Sequence, residues 1–263
     1  MKFASLKILS PELLKPFKLA LPKDFQKHFS ALRESPLSTR TFSFYNSVSA
    51  IASSRIEGEV MEMDSYLKYK MLKVKYLPEL VRKPNDLFAA YVYAQSHGLS
   101  PKSFSQAHKL LSAHLLPPRW RGKLRKGEMV ILEQPGQGIQ YEAAPAKEVP
   151  RLYAQLWGDI EFLKHLKMTS AEAFFFASHI HLTFVKIHPF EDGNGRAARL
   201  LEKWFLAEKL GPKAWYLQSE LYYYQNVARY YANLTRLGLF FSHQDYSKAL
   251  PFFQMLTKSL EVK

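Results

Sequence analysis

The spacing of the apolar residues is the feature that most constrains the fold of this chain. Over most of its length they recur with a period near 3.6 residues, and prolines and glycines separate the periodic segments. Only residues 128–143 differ, because two short β-prone runs there flank a Gln-Pro-Gly-Gln-Gly sequence. The sequence therefore predicts a mainly α fold with one short β-hairpin at 128–143.

The periodic segments predict a succession of helices after an extended arm. The arm covers the first forty residues, and helices are predicted at 41–57, 64–76, 86–97, 104–116, 148–166, 169–187, 219–236 and 244–262. A further helix is predicted to start at the Gly-Asn-Gly of 193–195 and to run to Gly211-Pro212. Thr169 and Glu172 have the spacing of a capping box at the start of the most apolar helix. Pro251 is predicted to kink the last helix.

Composition narrows the class of protein. The chain has 263 residues, of which 47% are hydrophobic, so it can bury a substantial core, and it has no cysteine, which excludes disulfides and thiolate zinc sites. Because the N-terminus lacks a signal-peptide pattern and no apolar run approaches 18 residues, we expect a cytoplasmic protein without a membrane partner. The net charge of +14, densest at 119–126, is compatible with nucleic acid, although a phosphorylated ligand or a solvated face is the stronger expectation.

The stretch HPFEDGNGRAAR, residues 188–199, lies where one predicted helix ends and the next begins. Unpaired N–H groups at a helix N-terminus form an anion site, and glycines let a phosphate approach the backbone closely. Arg196 and Arg199 lie in the first turn, where the helix dipole disfavours positive charge. This cost suggests an anionic ligand or a carboxylate partner at the start of the helix.

Two further side chains of the stretch complete a candidate site. His188 is the nearby group whose pKa suits proton abstraction near neutral pH, and Asp192 is a hard oxygen ligand of the kind that holds Mg²⁺ with phosphate oxygens. Together these groups suggest transfer involving a nucleotide phosphate to an acceptor hydroxyl. The alternative, a capped interhelical loop with Asp192 as the N-cap, stays open on these grounds.

The same stretch resembles the signature of the Fic (filamentation induced by cAMP) family, H-x-F-x-[D/E]-G-N-G-R-x-x-R. It matches every specified position: His188, Phe190, Asp192, Gly193, Asn194, Gly195, Arg196 and Arg199. The resemblance implies a Fic-fold helical bundle and an enzyme that transfers AMP from ATP to a Tyr, Ser or Thr hydroxyl of a target protein. It also implies ATP and Mg²⁺ as the nucleotide and the metal.

The resemblance assigns a role to each polar position of the signature. His188 would deprotonate the target hydroxyl, and Asp192 would hold Mg²⁺ on the α- and β-phosphates. The turn formed by residues 193–195 would cradle the phosphates. Arg196 would contact the phosphates, and Arg199 would bind the γ-phosphate.

A second segment, SSRIEGE at 53–59, resembles the inhibitory motif of the family, [S/T]-x-x-x-E-[G/N], through Ser53, Glu57 and Gly58. Ser53 and Glu57 are four residues apart on one helical face, and Gly58 suits a left-handed cap. The resemblance implies that Glu57 pairs with Arg199 and occupies the place of the γ-phosphate. It also implies the class in which the inhibitory helix is N-terminal, so that inhibition is intramolecular.

Two weaker likenesses concern the rest of the site. The 128–143 hairpin, with Val130, Ile131 and Leu132, is similar to the family's flap, which is proposed to hold the target segment by main-chain pairing. Tyr230 and Tyr231 resemble a tyrosine pair that lines the adenine pocket. Several relatives have an Asn about six residues later, whereas this chain has Leu237 and Gly238 there.

The resemblance covers roughly residues 40–240. It implies an N-terminal region at 1–100 with the inhibitory helix, a core at 101–240 and a C-terminal helix at 241–263, all in one compact unit. Removal of AMP, transfer of another phosphate-containing group, and a nucleotide- or DNA-binding module without turnover remain alternatives. A target protein is the expected partner, and a homodimer is compatible with the resemblance.

Overall fold

A computed structural model describes residues 2–39, 42–132 and 139–262 of the chain. Within these ranges it contains twelve α-helices and one two-stranded antiparallel sheet, which confirms the mainly α fold and the β-hairpin. The helices before the sheet are α1 (Leu14–Leu19), α2 (Phe25–Ala31), α3 (Phe44–Ile56), α4 (Met63–Leu72), α5 (Pro78–Gln95) and α6 (Pro101–Leu111). The strands are β1 (Val130–Leu132) and β2 (Ile139–Glu142). The helices after it are α7 (Val149–His165), α8 (Ser170–Ile187), α9 (Asn194–Leu210), α10 (Ser219–Gln225), α11 (Val227–Thr235) and α12 (Leu250–Lys258).

Helix α8 is the centre of the fold. It begins at the predicted capping box, in which the Thr169 hydroxyl accepts from the Glu172 N–H at 3.2 Å and the Glu172 carboxylate accepts from the Thr169 N–H at 3.0 Å. Every residue from Glu172 to Ile187 is buried, and α7, α9 and α12 pack around the helix. A helix that is buried on all sides needs neighbours on all sides, so α8 organises the helices around it. None of the described helices combines the length and the apolar character needed to cross a bilayer.

The predicted extended arm is wrong from residue 14 onward, because α1 and α2 pack on the core there. Three side chains of this region are buried, namely Phe17, Phe25 and Phe29. Phe17 lies against Phe175 of α8 with ring centroids 5.4 Å apart. The buried carboxylate of Asp159 on α7 also accepts from three consecutive backbone N–H groups, those of residues 7–9, at 2.8–2.9 Å. These long-range contacts leave no periodic signal in the local sequence.

Other predicted features of the helices also differ from the structure. Helix α5 begins at Pro78 rather than at 86, since proline fits the first helical turn, where its missing N–H has no partner to lose. The helix predicted at 219–236 is two helices, separated at Asn226, which has φ −119° and ψ 35°. The predicted kink at Pro251 is wrong, because Pro251 lies in the first turn of α12.

A histidine on α6 braces the loop between α8 and α9. The His108 ring stacks on Phe190 with centroids 3.7 Å apart. Its Nδ1 accepts from the Gly122 N–H at 2.9 Å, so its Nε2–H donates to the Asp192 carbonyl at 3.0 Å. Burial lowers the pKa of His108 to about 4, which keeps the ring neutral and able to make both hydrogen bonds.

The lowered pKa of His108 predicts a pH-dependent part of the stability. The unfolded chain binds a proton at this histidine below its ordinary pKa of about 6.5, whereas the folded chain does not until about pH 4. Stability from this group is therefore complete above pH 6.5 and is lost as the pH falls toward 4. Urea unfolding at pH 7 and pH 4.5 should show that wild type loses about 2 kcal/mol more than His108→Gln.

Comparison of the pH dependence of the two proteins removes the contribution of the other histidines. If both lose the same free energy of unfolding between these pH values, His108 is not neutral in the fold.

Candidate functional site

The loop between α8 and α9 has a left-handed residue at each end. His188 ends α8 with φ 52° and ψ 60°, and Gly193 caps α9 with φ 80°. A Cβ atom on Gly193 would also meet the Leu111 side chain at 2.9 Å, so only glycine fits there. Phe190, which is 1% exposed, anchors the middle of the loop in the core. These constraints fix the position of His188 relative to the start of α9.

The His188 ring lines a cavity of about 440 Å³. Its Nδ1 lies 3.2 Å from the Val185 carbonyl, so when Nδ1 carries the proton the Nε2 lone pair is free to accept one. The pKa of His188 is lowered to about 4, chiefly by burial and also by the charge of Arg125, against the partly opposing effects of the Val185 carbonyl and Glu57. The ring is therefore neutral at neutral pH, as a general base requires.

Arg125 holds the base of the hairpin against the histidine loop, a role that the sequence did not suggest. The side chain is 1% exposed and donates to backbone carbonyls on both sides: to His188 at 2.7 Å and Ile187 at 3.3 Å, and to Gly127 and Ala144. It lies in the basic run 119–126, where the composition predicts a solvated face. A buried arginine cannot be distinguished from its exposed neighbours in such a run without the fold.

The first turn of α9 has the features of an anion site. In the described part of the chain no side chain caps the first turn, and the Asn194 side chain instead exchanges hydrogen bonds with the Phe190 backbone at 2.8 and 2.9 Å. Asn194 can therefore serve a phosphate only through its main-chain N–H. Arg196 is 4% exposed, and its Nε has no hydrogen-bond partner among the described residues. A buried donor without an acceptor points to an anionic ligand at this turn.

Arg199 is paired with the inhibitory segment. Its side chain is fully buried, and it donates to the Ser53 hydroxyl at 2.8 Å, the Ser53 carbonyl at 3.0 Å and Glu57 Oε1 at 2.6 Å. Glu57 is the C-cap of α3, and Gly58 follows it with φ 86°. The chain turn after α3 thus carries the Glu57 carboxylate to the arginine.

The pair is held in its charged form. Burial alone would raise the pKa of Glu57 and lower that of Arg199, but the attraction between the two charges outweighs it, with Arg196 helping at Glu57 and Tyr230 at Arg199. The carboxylate also lies directly over Gly195, since a Cβ atom built there would overlap Glu57 Oε1. Glu57 therefore occupies space immediately above the anion site.

Glu59 is a second carboxylate on the same turn, and the sequence reasoning did not assign it a role. Its Oε1 accepts from Arg196 Nη2 at 3.1 Å and from Lys83 Nζ at 2.8 Å. Both signature arginines are thus bound by carboxylates of the SSRIEGE segment. The sequence did contain a pattern that could have indicated this second ion pair. Two arginines that lack acceptors in their own helix turn need two anionic partners, and Glu57 supplies only one.

The hairpin closes one side of the 440 Å³ cavity. Ile131 and Leu132 line it together with His188, whereas Val130 is 48% exposed and does not line it. In the register of the sheet Val130 pairs with Glu142 and Ile131 with Tyr141. The predicted Gln-Pro-Gly-Gln-Gly turn lies outside the described residues.

The two tyrosines of the predicted adenine pocket lie in different surroundings. Tyr230 is 1% exposed, and its hydroxyl lies 3.3 Å from Arg199 Nη1 and 3.0 Å from His181 Nε2. Tyr231 donates to the Ile56 carbonyl at 3.0 Å and lines both the 440 Å³ cavity and an adjoining cavity of about 770 Å³. Tyr230 thus supports Arg199, and Tyr231 offers a ring face between the cavities. Leu237, in the region where relatives have an Asn, is buried in the core.

Asp192 is the side chain that fits a divalent cation at this site. It is exposed, and only its Oδ1 is engaged, by the Gly193 N–H at 2.6 Å. Among the described residues no cluster of three His, Asp or Glu side chains forms a complete metal site. One carboxylate completed by phosphate oxygens is a common way of holding Mg²⁺, so the residues present fit a metal that arrives with a nucleotide.

Comparison with known proteins places this geometry in a family. The family model for the Fic/DOC family matches residues 98–206, a range that contains the 188–199 stretch and the hairpin but not Glu57 or Tyr230. A search of curated proteins found no significant sequence match.

Solved structures share the fold over almost the whole chain. A Fic family protein from Desulfovibrio desulfuricans G20 superposes with a TM-score of 0.73 at 22% identity, covering 95% of this chain and 72% of its own. A Fic domain containing signaling protein from Bacteroides thetaiotaomicron has a TM-score of 0.63 at 17% identity, covering 94% and 92%. Fic-1 from C. elegans has a TM-score of 0.65 at 17% identity, covering 95% and 69%.

The match at 98–206, the signature at 188–199 and the shared fold agree with one another. Residues 98–206 therefore match the Fic/DOC family, whose members generally transfer phosphate-containing groups to proteins, and the chain shares the fold of solved Fic structures.

Proposed function

We propose that the chain is an autoinhibited protein adenylyltransferase, which transfers AMP from ATP to a Tyr, Ser or Thr hydroxyl of a target protein and of itself. The observation that carries the proposal is the convergence on one cavity of the His188 ring, Gly195 in the uncapped first turn of α9, and Glu57, whose carboxylate binds the buried Arg199. A base, an anion site and two cationic donors are the groups that phosphoryl-group transfer needs.

The proposed reaction is a substitution at the α-phosphorus. The acceptor oxygen forms a bond to the α-phosphorus, the bond from that phosphorus to the bridging oxygen breaks, and pyrophosphate leaves. His188 Nε2 takes the hydroxyl proton, while the Val185 carbonyl holds the proton on Nδ1 and so keeps Nε2 as the acceptor. The N–H groups at the start of α9 and Arg196 stabilise the charge on the phosphate oxygens. Asp192 would hold Mg²⁺, whose charge offsets that of the phosphates.

The proposed regulation follows from competition for Arg199. Glu57 binds this arginine at 2.6 Å and lies over Gly195, where a phosphate bound to the first turn of α9 would lie. Two anions cannot occupy this place together without strong repulsion, because both would lie within a few ångströms of each other beside the fully buried Arg199. The terminal phosphate and Glu57 therefore exclude each other, and transfer needs the inhibitory turn to move.

Removal of the Glu57 carboxylate should activate the enzyme. With labelled ATP and Mg²⁺, Glu57→Gly should modify itself at least about tenfold faster than wild type, since Arg199 becomes available to the triphosphate. Mass spectrometry of the product would give the added mass and the acceptor residue. An added AMP supports adenylylation, and another mass identifies a different transferred group.

Glu62→Gly is the matched control for this activation. Glu62 is an exposed glutamate of the same connecting segment, and it pairs with Arg55 rather than with a signature arginine. Its loss should leave labelling at the wild-type level. Equal labelling of wild type and Glu57→Gly would contradict autoinhibition by Glu57.

Loss of the His188 base should abolish transfer without loss of the nucleotide. In the Glu57→Gly background, His188→Asn should slow labelling at least about a hundredfold while the ATP affinity measured by calorimetry changes less than about threefold. Asparagine is chosen because it tolerates the left-handed backbone of position 188 better than alanine. Loss of ATP binding together with transfer would mean that His188 supports the loop rather than the chemistry.

Release of Arg196 from Glu59 should activate the enzyme more weakly than removal of the Glu57 carboxylate does. Glu59→Gln should raise labelling of wild type about twofold to fivefold, because a partly exposed ion pair contributes at most about 1 kcal/mol. Lys83→Gln removes the other partner of Glu59 and should not raise labelling. A rise in Lys83→Gln equal to that in Glu59→Gln would show that loosening of the segment, not release of Arg196, is responsible.

A further inference from the structure

We propose that Gln140 reads the edge of the nucleobase and makes the site prefer adenine. The inference rests on the proposed nucleotide-dependent function and adds a specificity-determining residue on β2, far in sequence from the signature and the inhibitory motif.

Gln140 lies at the junction of the two cavities. Its side chain is 6% exposed and lines both the 440 Å³ cavity and the 770 Å³ cavity. Only Gly58, Gln140 and Tyr231 are shared between the two linings, and neither His188 nor Gly195 reaches the larger cavity. Gln140 and Tyr231 are therefore at the side of the smaller cavity that adjoins the larger one, which neither His188 nor Gly195 lines.

The amide of Gln140 has no side-chain partner in the part of the chain that the structure describes. Neither its oxygen nor its nitrogen makes a side-chain hydrogen bond with any residue in the described ranges 2–39, 42–132 and 139–262. The amide atoms are also not among the fully buried atoms without a partner, so they reach the open space of the cavities. Since this amide borders open space on both sides, a ligand in the cavities is the partner that it fits.

The direction of a bound nucleotide follows from the two ends of the smaller cavity. The phosphates belong near His188 and Gly195, at the N-terminus of α9. The base then extends toward Tyr231 and Leu234, which supply a ring face and an apolar contact. Gln140 is the polar side chain of this region that is free to contact the base edge.

The chemistry of a glutamine amide selects among bases. One donor and one acceptor, side by side, match the N6 amino group and N7 of adenine. Guanine presents two acceptors, O6 and N7, at the same edge and matches a lysine or arginine instead. Such a bidentate pair discriminates between bases by roughly tenfold to a hundredfold.

The test compares ATP and GTP affinities of the full-length chain in the Glu57→Gly background, by calorimetry with Mg²⁺. The parent should prefer ATP by roughly tenfold to a hundredfold. Gln140→Met keeps the length of the side chain without donors or acceptors, so it should weaken ATP binding and bring the two affinities within about threefold. Gln140→Lys should reverse the preference in favour of GTP, as expected for a cation facing O6 and N7.

Gln155→Met is the matched control, because Gln155 lies on α7 and accepts from Arg151 on the surface. Its ratio of ATP to GTP affinity should equal that of the parent. A merely structural role for Gln140 would weaken both nucleotides alike and leave the ratio unchanged, which would overturn the inference while the proposed function stands. If the parent binds neither nucleotide, the proposed function and this inference both fall.

Discussion

The ion pair between Arg199 and Glu57 is the interaction on which the arrangement of the site depends. Arg199 is fully buried, and without an anion beside it the charge would be costly to keep there. Its other acceptors, the hydroxyl and carbonyl of Ser53, belong to the same helix as Glu57, so the arginine ties α9 to α3. A buried cation that needs an anion can accept one from the protein or from a ligand, and this exchange is the physical basis of the proposed switch.

The loop that carries the base is fixed by contacts that have no chemical role of their own. The ring stack of His108 on Phe190 holds its middle, and Arg125 holds the carbonyls at the end of α8. The Asn194 side chain closes the loop on itself through the Phe190 backbone. Because these groups are buried and paired, His188 and the first turn of α9 keep their positions without a ligand, as a preorganised site requires.

The sequence predicted those parts of the site whose functional groups are close together in the chain. His188 and the Gly-Asn-Gly turn are adjacent in the chain, and the charge of two arginines at a helix start already demanded anions, one of which is Glu57. His108, Arg125 and Glu59 escaped prediction because each acts on residues 60 or more positions away, through burial that only the fold creates. The N-terminal region escaped for the same reason, since Asp159 binds backbone groups that carry no side-chain pattern.

Competition between Glu57 and the terminal phosphate for Arg199 is tested most directly by a double-mutant cycle for ATP binding. The cycle uses wild type, Glu57→Gly, Arg199→Gln and the double variant. If Glu57 and the terminal phosphate compete for Arg199, removing Glu57 should tighten ATP binding when Arg199 is present and have little effect when it is absent. The coupling free energy should then be at least about 1 kcal/mol. An equal gain of ATP affinity from Glu57→Gly in both backgrounds would contradict competition for Arg199, because Glu57 would then act on the nucleotide without this arginine.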